Sequence, residues 1–198
     1  MFYTADEPHG LPFDPFKAII APRPIGWIGS RNPDGHINLA PYSFFNAFSS
    51  RPGIVAFSSE GLKHSAYNAV ETGEFTFSLA TRPLAEKMNR SSANLDATEN
   101  EFEFAGLTMA PSRLIAPPFV LESPAALECR VTTSLRLKDL DGRETGATVV
   151  FGQVVATHIK DEFITNGRFD TAKAQPIARC GYNDYATVES VWEIPRAG

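Results

Sequence analysis

A mainly β fold, a barrel carrying helical insertions, is what this sequence predicts, and three observations point there. Strand-like runs number about six, against two or three helix-like ones. They do not alternate with helices, which disfavours a doubly wound parallel sheet. The two longest runs, 126–138 and 148–159, are rich in β-branched residues and joined by the polar, Gly-containing stretch 139–146, which suits an antiparallel ribbon. At 198 residues, 43% of them hydrophobic, the chain can bury a full core as one domain spanning 1–198.

In chain order, residues 1–16 are Pro-rich and aperiodic and read as an arm over the surface. Ile25 to Ser30 reads as a strand; Pro33 and Asp34-Gly35 suit a tight reversal, and His36 to Ala40 returns as the second strand of a hairpin. Pro41 interrupts that run, so Tyr42 to Phe48 reads as an irregular, partly buried segment. Gly53 to Ser58 is a third strand. Ser65 to Thr72 offers Ser65 as an N-cap, Gly73 as a stop, and Tyr67 and Val70 three apart on one face, which predicts a short helix. Glu74 to Ala80 alternates with period two, the pattern of a strand with one buried face. Pro83 to Arg90 reads as a second helix, with Leu84 and Met88 four apart. Residues 91–104 are polar and acidic and read as a surface excursion. Residues 160–198 have few periodic runs and read as a cover over a site or a partner.

Charge and motifs exclude several classes of function. With 18 basic against 23 acidic residues, a net charge of −5, and no basic run, the chain lacks the electrostatic footprint of a nucleic-acid binder. It has neither an apolar stretch long enough to span a bilayer nor a signal-peptide pattern at residues 1–10, so no membrane partner and a cytoplasmic location are expected. Cys129 and Cys180 lie far apart without ligand spacing and are expected to be buried free thiols. The dinucleotide, P-loop, nucleophile-elbow and zincin motifs are absent, and no spacing pairs His9, His36, His64 or His158 for metal binding. No metal site and no side-chain catalyst is expected.

The stretch from Arg23 to Ser59 concentrates small residues, hydroxyls and amides between aromatics, among them Asn38, Ala40, Ser43, Asn46, Ser58 and Ser59. Two readings are open. These residues can be turn formers between core strands, or they can line a surface for a flat ligand with polar edges, such as an isoalloxazine. Lys63-His64-Ser65 stands just before the predicted helix, where free N–H groups and the dipole favour an anion and a lysine adds a charge for phosphate; the alternative is a lysine in water. Arg23, between Pro22 and Pro24, has a stiff backbone and a defined direction, or is a plain surface arginine.

The run Pro22-Arg23-Pro24-Ile25-Gly26-Trp27-Ile28-Gly29-Ser30, then Asp34-Gly35, then Asn38 to Asn46, closely resembles the flavin reductase-like family of FMN-binding split barrels. The likeness continues through Lys63, Gly73-Glu74-Phe75, Glu101-Phe102, Ala105-Gly106-Leu107, Glu128-Cys129 and Pro176-Ile177-Ala178-Arg179, and so covers nearly the whole chain. It implies a Greek-key split barrel that forms a homodimer and holds FMN non-covalently near the subunit interface. By the same resemblance Asn38, Leu39, Ala40, Ser43, Phe44, Phe45 and Asn46 line the ring, largely through backbone, with Asn46 also using its side chain. Trp27, Ile28, Gly29 and Ser30 pass beside the cofactor, Ser58, Lys63 and Ser65 approach the phosphate, and Arg23 joins the binding set. His158, Arg179 and Tyr185 match positions near the nicotinamide or the partner subunit. This chain has His64 where the family often has an acid after the lysine. The implied activity is NAD(P)H-dependent reduction of flavin, with electrons passed to free flavin, oxygen or a partner such as a monooxygenase. A flavoredoxin-like electron carrier, a flavin-storage module and a barrel without cofactor are the competing roles.

Overall fold

The computed structural model describes residues 1–61, 63–96 and 99–197. The opening arm contains one turn of helix, α1 (Phe16–Ile19), and a two-residue strand, β1 (Arg23–Pro24). The expected hairpin follows as β2 (Gly26–Arg31) and β3 (Ile37–Tyr42). Its turn is closed by the Asn32 side chain, which accepts the His36 N–H at 2.8 Å, and by Gly35 at φ +97. Strand β3 runs through Pro41, which pairs with Trp27. Pro is tolerated there because β3 is an edge strand, with one side free of ladder partners.

This corrects the reading of Tyr42 to Phe48 as irregular: after Ser43 and Phe44 the chain enters β4 (Phe45–Ser50), which pairs with β5 (Gly53–Glu60). A helix, α2 (His64–Thr72), and a strand, β6 (Glu74–Leu79), come next. The N-cap is Lys63, not Ser65, and the buried face of α2 is Ser65, Ala66, Asn68 and Ala69, while Tyr67 and Val70 are exposed. The sequence pairing of Tyr67 with Val70 picked the outer face because the inner one is made of small residues.

Helices α3 (Ala85–Arg90) and α4 (Glu101–Ala105) cover one side of the barrel. The supposed surface excursion therefore contains a helix, with Glu101 and Phe102 buried and Asn100 capping it. A small ladder of β7 (Met109–Ala110) and β8 (Phe119–Val120) leads into the long ribbon, β9 (Ala125–Lys138) and β10 (Glu144–Ile159). Beyond it lie the short pair β11 (Ile164–Thr165) and β12 (Arg168–Phe169), a turn of helix α5 (Thr171–Ala174), and β13 (Ile177–Arg179) with β14 (Tyr185–Thr187). Strand β13 pairs with β1, so the end of the chain returns to its beginning.

The main sheet has the antiparallel order β3-β2-β6-β9-β10-β5-β4. Strands β3 and β4 are at opposite ends of that order yet only Ser43 and Phe44 separate them in sequence, so the sheet must curl until its two edges meet at this corner. The Ser58 N–H donating to the Phe44 carbonyl at 2.8 Å fastens the corner. The result is a mainly β split barrel.

Two cores follow from the curl. Inside the barrel, Ile28, Tyr42, Val55, Phe57, Phe75, Cys129 and Val150 pack together, plugged by Ala66 and Ala69 of α2. Outside it, Trp27, Leu39, Met88, Phe102 and Val120 form a second core under α3 and α4. Strand β2 is therefore buried on both faces, which explains its nearly continuous apolar run. Strand β6 is buried on both faces too, a correction to the one-sided reading. Its polar face is satisfied by the chain around 118–120: the Thr76 hydroxyl donates to the Pro118 carbonyl at 2.7 Å, and the Ser78 hydroxyl accepts the Val120 N–H at 3.0 Å.

Candidate functional site

The corner where the barrel edges meet is also where a groove of about 390 Å³ opens. Its walls are the end of β3, the link Ser43–Phe44, Ser58 of β5, the start of α2 and the loop from Ser91 to Leu95. The volume lies within the range usual for small-molecule and cofactor sites. Asn38, Ala40, Ser43, Phe44, Ser58, Lys63 and Ser65, all singled out from the sequence, line it together.

A buried polar network underlies one end. The Asn38 amide, turned so that its NH₂ faces Glu101 Oε1 at 3.1 Å, accepts the Ser65 hydroxyl at 2.6 Å. Glu101 Oε2 accepts the Leu39 N–H at 3.0 Å. Burial pushes the Glu101 carboxyl above its ordinary value, against the pull of that N–H. Burial likewise raises the Tyr42 phenol, while hydrogen bonding to Ser65 and Ser59 acts the other way. At the mouth stand Lys63 and His64, both exposed, and α2 offers the free N–H groups of its first turn.

Seven of the residues expected beside the cofactor, Trp27, Ile28, Gly29, Ser30, Leu39, Phe45 and Asn46, do not line the groove. Trp27 and Leu39 belong to the outer core, where the Trp27 indole donates to Ser91 Oγ at 2.9 Å, and Ile28 fills the barrel. Gly29 lies where a side chain would strike Thr76 and the Pro118 carbonyl, and Ser30 is buried with its hydroxyl accepting from Asn68 at 3.2 Å. Phe45 does not line the groove either; it covers Gly26 and stacks on Phe77 with centroids 4.8 Å apart. Asn46 is exposed on β4, its side-chain oxygen accepting the Ala47 N–H at 2.8 Å. His158 stands apart, with Nε2 2.7 Å from Glu128 Oε1 and its ring against Phe119.

Arg23, Arg179 and Tyr185 meet in a second pocket of about 400 Å³, which shares Lys17, Pro41, Ser43 and Ser92 with the groove. Cys180 lines it and is only partly buried, contrary to expectation; Cys129 is fully buried, its thiol pushed up to about 12 by burial and then by the Glu128 charge. Sequence reading missed Lys17 and the 91–95 wall; it singled out His64 beside Lys63 and quoted Glu101 in the family likeness, but gave neither a place in the site. The run Ser91-Ser92-Ala93-Asn94 carried the one available signal, the same small hydroxyl and amide residues that mark the opposite wall.

A barrel split at a corner, with a polar groove at the split, has close counterparts among solved structures. Nitrilotriacetate monooxygenase component B from Bacillus cereus superposes with a TM-score of 0.89 at 26% identity, covering 98% of each chain. The 2-nitrobenzoate 2-nitroreductase of Pseudomonas fluorescens gives 0.80 at 26% identity, covering 92% of this chain and 88% of that one. An uncharacterized protein of Halalkalibacterium halodurans is 31% identical over 182 residues, 89% of this chain and 87% of its own. The family model for the flavin reductase like domain matches residues 20–173, and the chain belongs to that family. Its role is accordingly flavin-related, that of an oxidoreductase or electron carrier. No helix among the described residues is long and apolar enough to cross a membrane.

Proposed function

We propose that the groove binds FMN non-covalently and that the protein uses NAD(P)H to reduce flavin, passing electrons to free flavin, oxygen or a partner protein such as a monooxygenase. One observation carries this reading: a hydroxyl- and amide-lined groove ends at the first turn of a nine-residue helix with Lys63 as its N-cap. The donor set fits the cofactor. Phe44 and Pro41 offer apolar surface to a ring, Ser43 and Ser58 offer hydroxyls to its polar edge, and Lys63, Ser65 and the helix N–H groups suit a phosphate. The two acids in the groove do not oppose this, because Glu101 is spent on Leu39 and Asn38, and Glu60 faces Lys17 at 3.9 Å.

Bound FMN supplies a two-electron acceptor that reduced nicotinamide loads and an external acceptor unloads. Such transfer depends on close stacking and on donors along the ring edge, more than on a side-chain acid or base. The residues gathered here are of that kind.

A homodimer belongs to the same reading. Phe48 on β4 is 61% exposed, Leu135 on β9 55% and Leu140 in the turn after β9 107%, apolar side chains that a second copy would cover. Asn46, on the same edge strand, then faces the partner's side of the assembly.

Replacing Lys63 tests the phosphate end. Lys63→Ala is expected to weaken FMN binding about tenfold, the worth of one charge-assisted contact, and to leave riboflavin binding nearly unchanged. Equal losses for both ligands remove Lys63 and the helix start from the site.

A further inference from the structure

We infer that Asn38 is a two-position relay: as an FMN phosphate enters the groove, Glu101 takes a proton from solvent, the Asn38 amide turns over, and the Ser65 hydroxyl becomes free to donate to the phosphate. The relay deepens the flavin reading and rests on it for the ligand. Asn38, Ser65 and Glu101 all line the groove, yet they are only 7%, 1% and 5% exposed, so each depends on its neighbours for hydrogen bonds. Among the described residues no lysine, arginine or histidine forms an ion pair with Glu101. Its partners are neutral, the Leu39 N–H and the Asn38 amide.

The three side chains can satisfy one another in two ways, and a single proton distinguishes them. With Glu101 ionised, its carboxylate only accepts. The Asn38 NH₂ then points to Glu101 Oε1 at 3.1 Å, and the Asn38 oxygen accepts from the Ser65 hydroxyl at 2.6 Å and from the Leu39 N–H at 3.1 Å. Ser65 has one hydroxyl proton, and that contact uses it. What Ser65 turns to the groove is therefore a lone pair, which repels a phosphate. With Glu101 protonated, its O–H donates to the Asn38 oxygen across the same 3.1 Å, and the Asn38 NH₂ donates to Ser65 Oγ at 2.6 Å. Oε2 keeps the Leu39 N–H at 3.0 Å in both arrangements. Only in the second is the Ser65 proton free for an anion, where it adds a charge-assisted hydrogen bond to those from Lys63 and the first turn of α2.

The first arrangement gives the Leu39 N–H two acceptors and holds before a ligand binds; the phosphate tips the balance. Like charge works in the same direction, since a phosphate beside Glu101 opposes its ionisation. Burial already holds this carboxyl above its ordinary value. Of its titratable neighbours, His64 at the start of α2 favours the ionised form, Glu99 ahead of α4 disfavours it, and Tyr42 at the end of β3 shares Ser65. Lys17, Glu60 and Lys63 are the other charged residues of the groove. Glu101 also lines a polar cavity of about 120 Å³ together with His36, His64 and Glu99, a route by which solvent protons reach it.

Calorimetric titration of the purified full chain at pH 7, in buffers of low and high ionisation enthalpy, counts the protons taken up with each ligand. FMN is expected to bind with uptake approaching one proton, and riboflavin, which has no phosphate, with none. Cations around the phosphate expel its own second proton, an effect of the opposite sign. Glu101→Gln holds the protonated pattern permanently, its NH₂ donating to Asn38 and its oxygen accepting from Leu39. This variant is expected to bind FMN about tenfold more tightly than the wild type at pH 8, with riboflavin affinity changed less than about twofold and proton uptake abolished. Adding Ser65→Ala should remove that gain. FMN binding by the wild type without proton uptake, or undiminished uptake in Glu101→Gln, overturns the relay; the wild-type measurement decides alone should the variant fail to fold. If FMN does not bind, inorganic phosphate is titrated in its place. Phosphate binding with proton uptake then overturns only the flavin reading, and phosphate binding without uptake, or no binding, overturns the relay as well.

Discussion

Asn38 joins the groove to the core, since its amide reaches the buried Glu101 carboxylate on one side and the Ser65 hydroxyl on the other. Asn38→Ala strips both partners of a buried hydrogen bond, at a cost of about 1–3 kcal/mol, and in a domain of this size the melting temperature should fall by several degrees. FMN affinity should fall with it, because Ser65 loses the group that orients it. A variant that melts like the wild type would show that water takes over both bonds. At this scale the sequence was partly legible. Asn38, Ser58, Lys63 and Ser65 stood out as hydroxyls, amides and a lysine near a helix start, and the fold brings them together. Trp27 and Leu39 carried the same motif but face the outer core, since a barrel wall and a ligand wall draw on the same residue types. The places of Lys17 and Glu101 at the groove were illegible, because both arrive from aperiodic segments placed only by tertiary packing.

The long ribbon and the segment that crosses it are pinned by Glu128 of β9, whose side chain is fully buried. It accepts the Arg113 and Leu114 N–H groups at 2.7 Å each, and His158 of β10 lies 2.7 Å from Oε1. Burial opposes ionisation, but the two N–H groups and His158 outweigh it, so this carboxyl ionises below its ordinary 4.5. Its contribution to stability is therefore complete above that value and is lost as pH falls through the lowered one. Glu128→Gln should flatten the acid side of the stability profile, read as denaturation midpoints between about pH 6 and pH 3. An acid limb as steep as in the wild type would assign acid sensitivity to other carboxylates. Farther along β10, Gly152 leaves room for the Phe75 ring, which an added Cβ would strike. Gly152→Ala should cost about 1–3 kcal/mol through overpacking, measured by urea denaturation, and an unchanged midpoint would mean that Phe75 moves aside freely. Periodicity gave the ribbon and the first hairpin plainly. It missed β4 because Pro41 reads as a strand breaker, and only the position of β3 at a sheet edge makes Pro41 acceptable.

For the whole molecule, the decisive feature is that the two ends of a seven-stranded sheet meet at Ser43 and Phe44, so the joint that makes the barrel is also the joint that makes the site. That closure was legible only through the resemblance of the Arg23 to Asn46 block to a split-barrel family, since strand count alone does not say which edges meet. The central claim is that the groove at this joint holds FMN that NAD(P)H can reduce. Its most direct test is the visible spectrum of the purified, FMN-loaded protein, mixed anaerobically with NADH and with NADPH in turn. Flavin bands that bleach rapidly with at least one donor are the predicted result. A protein that takes up no FMN, or whose bands persist with both donors, contradicts it.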